Sequence, residues 1–299
     1  MIRPRLPAIL AAMALAWTSA AQAASPKPSL SFTIIKTGST QAPEALIYSG
    51  GRWTQTVNSN FSAILVRHGE RQVLVDTGLG AQIDAQYERD MPRWQRLFFK
   101  YERPIVPARA QLDRAGLGPV RQIILSHAHW DHASALTEFP NAEVWVAPGE
   151  MDFIGKPRRE VGAAWTSQVA SPAIKWREIP FRPGAYHGFD ASFDLFGDGS
   201  AVLVPLYGHT PGSVGLFLTT GTGRRFFLCG DVVWSAAAVK NVRPKFWLAQ
   251  SLADSDSAAT RRETGRIAAL ARREPNLIIL PAHDSRAQDR LGYFPKWID

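Results

Sequence analysis

The run Ser126-His127-Ala128-His129-Trp130-Asp131-His132 constrains this chain more than any other segment, because it follows directly on the apolar stretch Gln122-Ile123-Ile124-Leu125. Those apolar residues read as a short buried strand, so the polar run stands at a strand end. Three of the chain's seven histidines fall inside it. Alternate side chains of an extended segment share a side, which sends His127 and His129 toward one point. Asp131 and His132 follow where the chain must turn and can address a second point close by. Imidazoles and a carboxylate packed at a buried strand end are costly to desolvate unless something binds them. A metal ion does so, and this is a ligand set that zinc prefers.

The first 23 residues read as an export signal. Arg3 and Arg5 give a positive start, Leu6 to Trp17 is apolar, and Ala21-Gln22-Ala23 places small residues where a signal peptidase cuts. The apolar run is short for a bilayer and has no basic stop-transfer flank, so stable membrane insertion is not expected; a retained anchor is the alternative. The expectation is one domain over 24–299, periplasmic or secreted. The net charge of +8 is spread in pairs such as Arg158-Arg159 and Arg272-Arg273. No dense basic block suggests a nucleic-acid partner. Cys229 is the single cysteine, which excludes an intramolecular disulfide. It lies in the apolar run Arg225–Cys229 and reads as a buried, inert thiol, though its closeness to Asp231 leaves a ligand role open.

Strands and helices alternate without an obvious linker, as in an α/β domain. Ser31–Ile35 reads as a strand, and Phe61–Val66 with Gln72–Val75 as a hairpin whose turn holds His68, a surface residue rather than a ligand. Helical spacing runs from Ala81 to Phe99, and a short helix from Ala108 to Ala115 is stopped by Gly116-Leu117-Gly118-Pro119. A helix is expected near Ala133, a strand over Ala142–Ala147, and a loop-rich stretch from Pro157 to Pro180. Ser200–Leu206, Ser213–Leu218 and Arg225–Cys229 are further strands. Ala258 to Arg273 is the clearest helix, capped by Ser255, Asp256 or Ser257. Leu277–Leu280 is a last buried strand.

The other candidate ligands share one setting. Asp76, His209, Asp231 and His283 each follow an apolar strand and sit in a turn containing Gly or Pro. Strand ends converging on one rim are where open α/β folds place their sites. With His127-x-His129-x-Asp131-His132, Gly208-His209-Thr210-Pro211-Gly212, Gly230-Asp231 and Ala282-His283 in this order, the chain resembles the metallo-β-lactamase superfamily. Val75-Asp76-Thr77-Gly78 matches the family's early strand-end aspartate. The resemblance runs from about Phe32 to the C-terminus and implies an αββα sandwich with a two-metal site at the exposed edge of its sheets. Carried over by position, His127, His129 and His209 would hold one metal. Asp131, His132 and His283 would hold the other, Asp231 would bridge both, and Asp76 would orient a ligand by hydrogen bonding. Nitrogen and oxygen ligation favours two Zn²⁺, with manganese, iron or cobalt as other occupants.

A bridging aspartate at Asp231 separates this pattern from the true β-lactamases. The short segment after His283 argues against a glyoxalase II-like thioesterase, and an export signal argues against the RNA-processing branch. Ile279-Leu280-Pro281-Ala282-His283-Asp284, followed by Tyr293-Phe294-Pro295, looks like the ending of N-acyl-homoserine lactonases. The resemblance therefore implies a hydrolase that opens lactones with a metal-bridging hydroxide. In this reading Asp131 also passes a proton to the leaving alkoxide. Trp234 stands where lactonases often carry a substrate-binding tyrosine, and its indole N–H is a candidate donor to the substrate. The aromatic segments Trp94–Tyr101 and Phe246-Trp247-Leu248 are candidates for an acyl-chain pocket, or alternatively for core or a homodimer interface. The partner expected is a small ester or lactone. Rival readings are a phosphotriesterase resembling methyl parathion hydrolase and a non-hydrolytic iron oxidoreductase on the same scaffold.

Overall fold

A computed structural model describes residues 30–299; the expected export signal, residues 1–23, lies outside the described residues. The first sheet contains β1 (Leu30–Pro43), β2 (Thr56–His68), β3 (Arg71–Val75), β4 (Gln122–Ile124), β5 (Glu143–Val146) and β6 (Lys175–Glu178), adjacent in that order. Its first three strands are antiparallel and the rest parallel. The second sheet contains β7 (Arg182–Tyr186), β8 (Phe189–Asp194), β9 (Ala201–Pro205), β10 (Val214–Thr219), β11 (Arg225–Leu228) and β12 (Leu277–Leu280). Only its β11–β12 pair is parallel.

The helices are α1 (Glu44–Ile47), α2 (Ile83–Asp90), α3 (Ala108–Arg114), α4 (Pro148–Ile154), α5 (Thr166–Val169), α6 (Ala236–Lys240), α7 (Trp247–Ala253), α8 (Ser257–Arg273) and α9 (Ser285–Leu291). Neighbouring apolar residues of the strands point to opposite faces, and both faces are covered. Ile34, Val66, Val75 and Ile124 meet Leu203, Leu216, Phe226 and Leu228 between the sheets. Ile35, Leu65, Leu74 and Ile123 pack outward under α3, α4 and α5. Val204, Phe217 and Phe227 pack outward under Ile267 and Leu270 of α8. This is the αββα sandwich, and double burial explains why the strands read as unbroken apolar runs.

Three expectations need correction. No α-helix begins near Ala133; a single 3₁₀ turn at Leu136–Glu138 stands there. The carbonyls that such a helix would use internally are taken elsewhere. His132 O accepts from the Thr77 hydroxyl at 2.7 Å, and Ser134 O accepts from Gln86 Nε2 at 3.0 Å. The spacing from Ala81 to Phe99 is split into α2 and a 3₁₀ turn at Gln95–Leu97. Pro92 ends α2, since the residue before a proline is pushed to extended backbone, as Met91 is at φ −84°, ψ 117°. The stretch 157–180, expected as loop-rich, also contains α5 and the edge strand β6, for which no element was expected. With only Trp176 and its neighbours' stems to bury, β6 lacks an apolar signal. The α8 cap is Asp256, whose carboxylate accepts from Ala258 N and Ala259 N.

Candidate metal centre

The ends of β3, β4, β9, β11 and β12 meet at one edge of the sandwich, bringing Asp76, the His127–His132 run, His209, Asp231 and His283 together. One ligand atom each from His127, His129 and His209 lie within 4.8 Å of one another. The same holds for Asp131, His132 and His283, and for His127, His132 and Asp231. All seven side chains are buried. The Nε2 atoms of His127, His129, His132 and His209, with Asp231 Oδ1, are buried without a hydrogen-bond partner. Unpaired buried polar atoms are rare because each costs about 1–3 kcal/mol. Four imidazole nitrogens and a carboxylate oxygen left open at one spot fit divalent ions in two neighbouring positions.

His127, His132, His209 and His283 are each turned by a partner on the other ring nitrogen, His127 Nδ1 lying 3.0 Å from Ser126 Oγ. His132 Nδ1 lies 2.8 Å from Asp76 Oδ2, which also accepts from the Ser126 hydroxyl at 2.8 Å. Asp76 Oδ1 accepts from Ser126 N at 2.6 Å, so this aspartate fixes both the ligand and the loop start. His283 Nδ1 donates to Asn60 O at 2.7 Å. The Asn60 amide donates to Tyr293 Oη at 2.7 Å, which gives the Tyr-Phe-Pro ending a structural task. His209 Nδ1 lies 2.7 Å from Asp254 Oδ1, and the buried Lys245 ammonium meets the same oxygen at 2.5 Å. Donation from Nδ1 leaves Nε2 as the free acceptor toward a metal.

Burial, reinforced by neighbouring imidazoles, holds His127 well below the usual histidine range, and burial with Lys245 and neighbouring imidazoles does the same for His209. Burial likewise takes His129 down to about 4. These three are neutral ligands at physiological pH. Burial also opposes a charge on His132 and His283, but the surrounding aspartates outweigh it. Asp76, Asp131 and Asp231 hold His132 well above its usual value, and Asp231 and Asp131 raise His283 to about 10. Without metal, protons therefore occupy part of the second cluster.

Sequence reasoning missed Glu150, Lys245, Asp254 and Asn60. Glu150 on α4 joins the two ligand loops: Oε1 accepts from Ala128 N at 2.6 Å, and Oε2 from Thr210 Oγ1 at 2.6 Å and Gly212 N at 3.1 Å. The signal for this junction was Gly212, whose absent side chain leaves room for α4: a Cβ there would stand 2.1 Å from Glu150 N. Cys229 is fully buried in the outer core of the second sheet and belongs to none of the clusters. Burial first, then Asp231, pushes its thiol up. His68 ends β2, stacked on Phe196 and 2.6 Å from Asp198, away from the cluster.

A pocket of about 840 Å³, open mouth included, stands over the site. His129, Asp131, His209, Asp231 and His283 form its polar end, and Leu46, Phe61, Phe98, Phe99, Phe246 and Leu248 its apolar wall. Both aromatic segments thus contribute to one cavity, while Trp94 and Trp247 stay exposed. Trp234 lines the same pocket, but its indole N–H donates to Asp231 Oδ2 at 2.9 Å.

The sandwich and its clustered ligands define a metal-dependent hydrolase. Residues 60–283 match the metallo-β-lactamase superfamily, and the chain belongs to it. It is 26% identical to the metallo-hydrolase mfmC of Annulohypoxylon moriforme, over 79% of this chain and 72% of that one. With the N-acyl homoserine lactonase AttM of Agrobacterium fabrum it shares 27% identity over 42% of this chain and only 46% of the relative. The fold is similar to that of an N-acyl homoserine lactone hydrolase bound to N-hexanoyl-L-homoserine, with a TM-score of 0.68 at 19% identity, over 91% of this chain and all of the other. It is also similar to AidC, a dizinc quorum-quenching lactonase, with a TM-score of 0.57 at 18% identity over 91% and 90% of the two chains.

Proposed function

We propose that this protein is an exported dinuclear zinc hydrolase that opens lactones carrying an apolar acyl chain, such as N-acyl-homoserine lactones. The carrying observation is the pocket, which sets an apolar wall directly against the seven-ligand cluster. A polar head at the metal end and an aliphatic tail along Phe98, Phe99, Phe246 and Leu248 fit that division. The composition of residues 1–23 supports export. The likeness to the lactonases AttM and AidC supports the lactone class.

His127, His129 and His209 would hold one ion, Asp131, His132 and His283 the other, and Asp231 both. Bound there, two divalent ions would supply Lewis acidity and a water of lowered pKa. The chain's own residues do the rest. Asp76, Asn60 and Asp254 fix the imidazoles so that no reorientation is needed during reaction. The apolar wall keeps bulk water from the bound ester. Asp131, with Oδ2 at 3.2 Å from His283 Nε2, is placed at the pocket's polar end to take a proton from the attacking water and hand it to the departing alkoxide.

Trp234 favours a second reading, a phosphotriesterase. Its N–H is engaged by Asp231, so a lactone carbonyl finds no free hydroxyl donor at the position where lactonases often carry tyrosine. Zinc-reconstituted protein assayed side by side on acyl-homoserine lactones and aryl phosphotriesters separates the two. Lactone turnover is expected; triester turnover alone would replace the first reading with the second.

A further inference from the structure

Among the described residues seven large apolar side chains are exposed, and six of them are Trp53, Trp94, Leu97, Phe98, Val242 and Trp247. These six fall on three segments, 51–57, 91–100 and 240–253. The segments share one place in the fold. Phe98 and Phe246 line the same pocket. The Trp53 ring meets Phe246 at 5.9 Å, and Phe246 meets Trp247 at 5.6 Å. Beside the lining residues Phe98 and Phe246, exposed apolar side chains thus flank the pocket mouth, Leu97 next to Phe98 in sequence at 76% exposure and Trp247 against Phe246 at 67%. Soluble surfaces rarely gather such side chains around one opening unless something covers them.

The charges on the same segments have one sign. None of the three contains Asp or Glu, yet they carry the exposed Arg52, Arg93, Lys100, Lys240 and Arg243. A further cation, Arg96, is tied to Glu88, whereas none of these five pairs with an acid among the described residues. A second copy of the chain is a poor cover. A two-fold interface sets a patch against itself, which would press these five cations toward their own copies. An anionic bilayer meets both features: aromatic and aliphatic side chains settle at headgroup depth, and Arg and Lys face lipid phosphates.

We propose that this rim is a docking surface for anionic lipid membranes, which places the pocket mouth against the bilayer. Docking is peripheral: among the described residues no helix is long and apolar enough to cross a membrane. The proposal stands on the rim and is independent of which ester the site hydrolyses.

The test is co-sedimentation of the full chain with vesicles of phosphatidylcholine, with and without phosphatidylglycerol, at low and high salt. Two variants are compared with wild type: Trp53→Ser/Leu97→Ser/Trp247→Ser, and Arg52→Glu/Arg93→Glu/Arg243→Glu. All three proteins keep residues 1–29, so any partitioning of that segment is common to them. All six substituted side chains are exposed, and unchanged melting temperatures are expected. Wild type should pellet with phosphatidylglycerol vesicles and be released by salt. Charge reversal should weaken binding by about tenfold or more, and loss of the apolar rim by a similar factor. Equal pelleting of all three proteins would overturn the proposal. So would a wild-type dimer, seen by analytical ultracentrifugation, that the apolar variant splits while no protein binds vesicles.

Discussion

Asp231 is the side chain on which both ligand clusters lean. Its Oδ2 lies 2.9 Å from His283 Nε2 and 3.7 Å from His209 Nε2, and its Oδ1 lies 3.4 Å from His132 Nε2. Burial opposes its charge, but His283 and His132 hold the carboxyl well below its usual range, so it stays an acceptor. Asp231→Ala is expected to retain at most one of two metals and to lose most hydrolytic activity, which metal analysis and initial rates would check. Full metal content with full activity would remove it from the bridging position. Trp234 acts on the same carboxylate from outside the cluster. Trp234→Phe keeps the ring against Phe99 and His283 but deletes the N–H donated to Asp231 Oδ2. A hydrogen bond to a charged group is worth about 1.5–3 kcal/mol, so kcat should fall about tenfold or more with metal content unchanged. An unchanged kcat would make Trp234 pocket wall only.

At the scale of elements, α4 matters more than its seven residues suggest, because Glu150 holds two ligand loops that approach from different sheets. Glu150→Ala would leave the Ala128 and Gly212 amides buried without acceptors and the Thr210 hydroxyl with Ser213 Oγ alone. At about 1–3 kcal/mol per unmet group, the loss should total roughly 3–5 kcal/mol after partial hydration. Thermal melts would register it, together with weaker metal retention under chelator challenge. A melting temperature equal to wild type would show that the loops hold themselves. The strands and the polar residues clustered at their ends were legible in sequence because burial on both faces writes continuous apolar runs, and these residues end them. Glu150, Lys245 and Asp254 were not legible. Their task depends on which loops the fold brings together, and nothing local distinguishes a buried Glu on a short helix from a solvated one. The helix expected near Ala133 failed for a related reason: Thr77 and Gln86, distant in sequence, take the carbonyls it needed. The β7–β8 hairpin drew no expectation, since β7 is mostly exposed, β8 is mostly half-buried, and neither carries a clear alternation.

For the whole molecule, each candidate metal position would draw ligands from both sheets: His127 and His129 with His209, and Asp131 and His132 with His283. Binding there cross-links the sandwich at its open edge, so metal loading stabilises the folded state by mass action. The pH dependence follows from the second cluster. In the metal-free protein, burial disfavours charge on His283, but Asp231 and Asp131 raise its pKa to about 10, against an unfolded value near 6.5. A raised folded pKa means that the native state binds this proton more tightly. The stabilisation is complete below about pH 6.5 and is lost as pH rises through about 10. Metal must displace the same proton, so its affinity rises over the same interval. The melting temperature of chelator-treated protein should therefore fall between pH 6.5 and 9.5, while the gap between zinc-loaded and chelator-treated protein widens. His283→Gln, which carries no titrating proton, should flatten the metal-free curve. A metal-free melting temperature that rises over this range in the wild type would mean that the aspartates do not retain the proton. The second cluster would then be held together by something other than the carboxylate–imidazolium contacts at its centre.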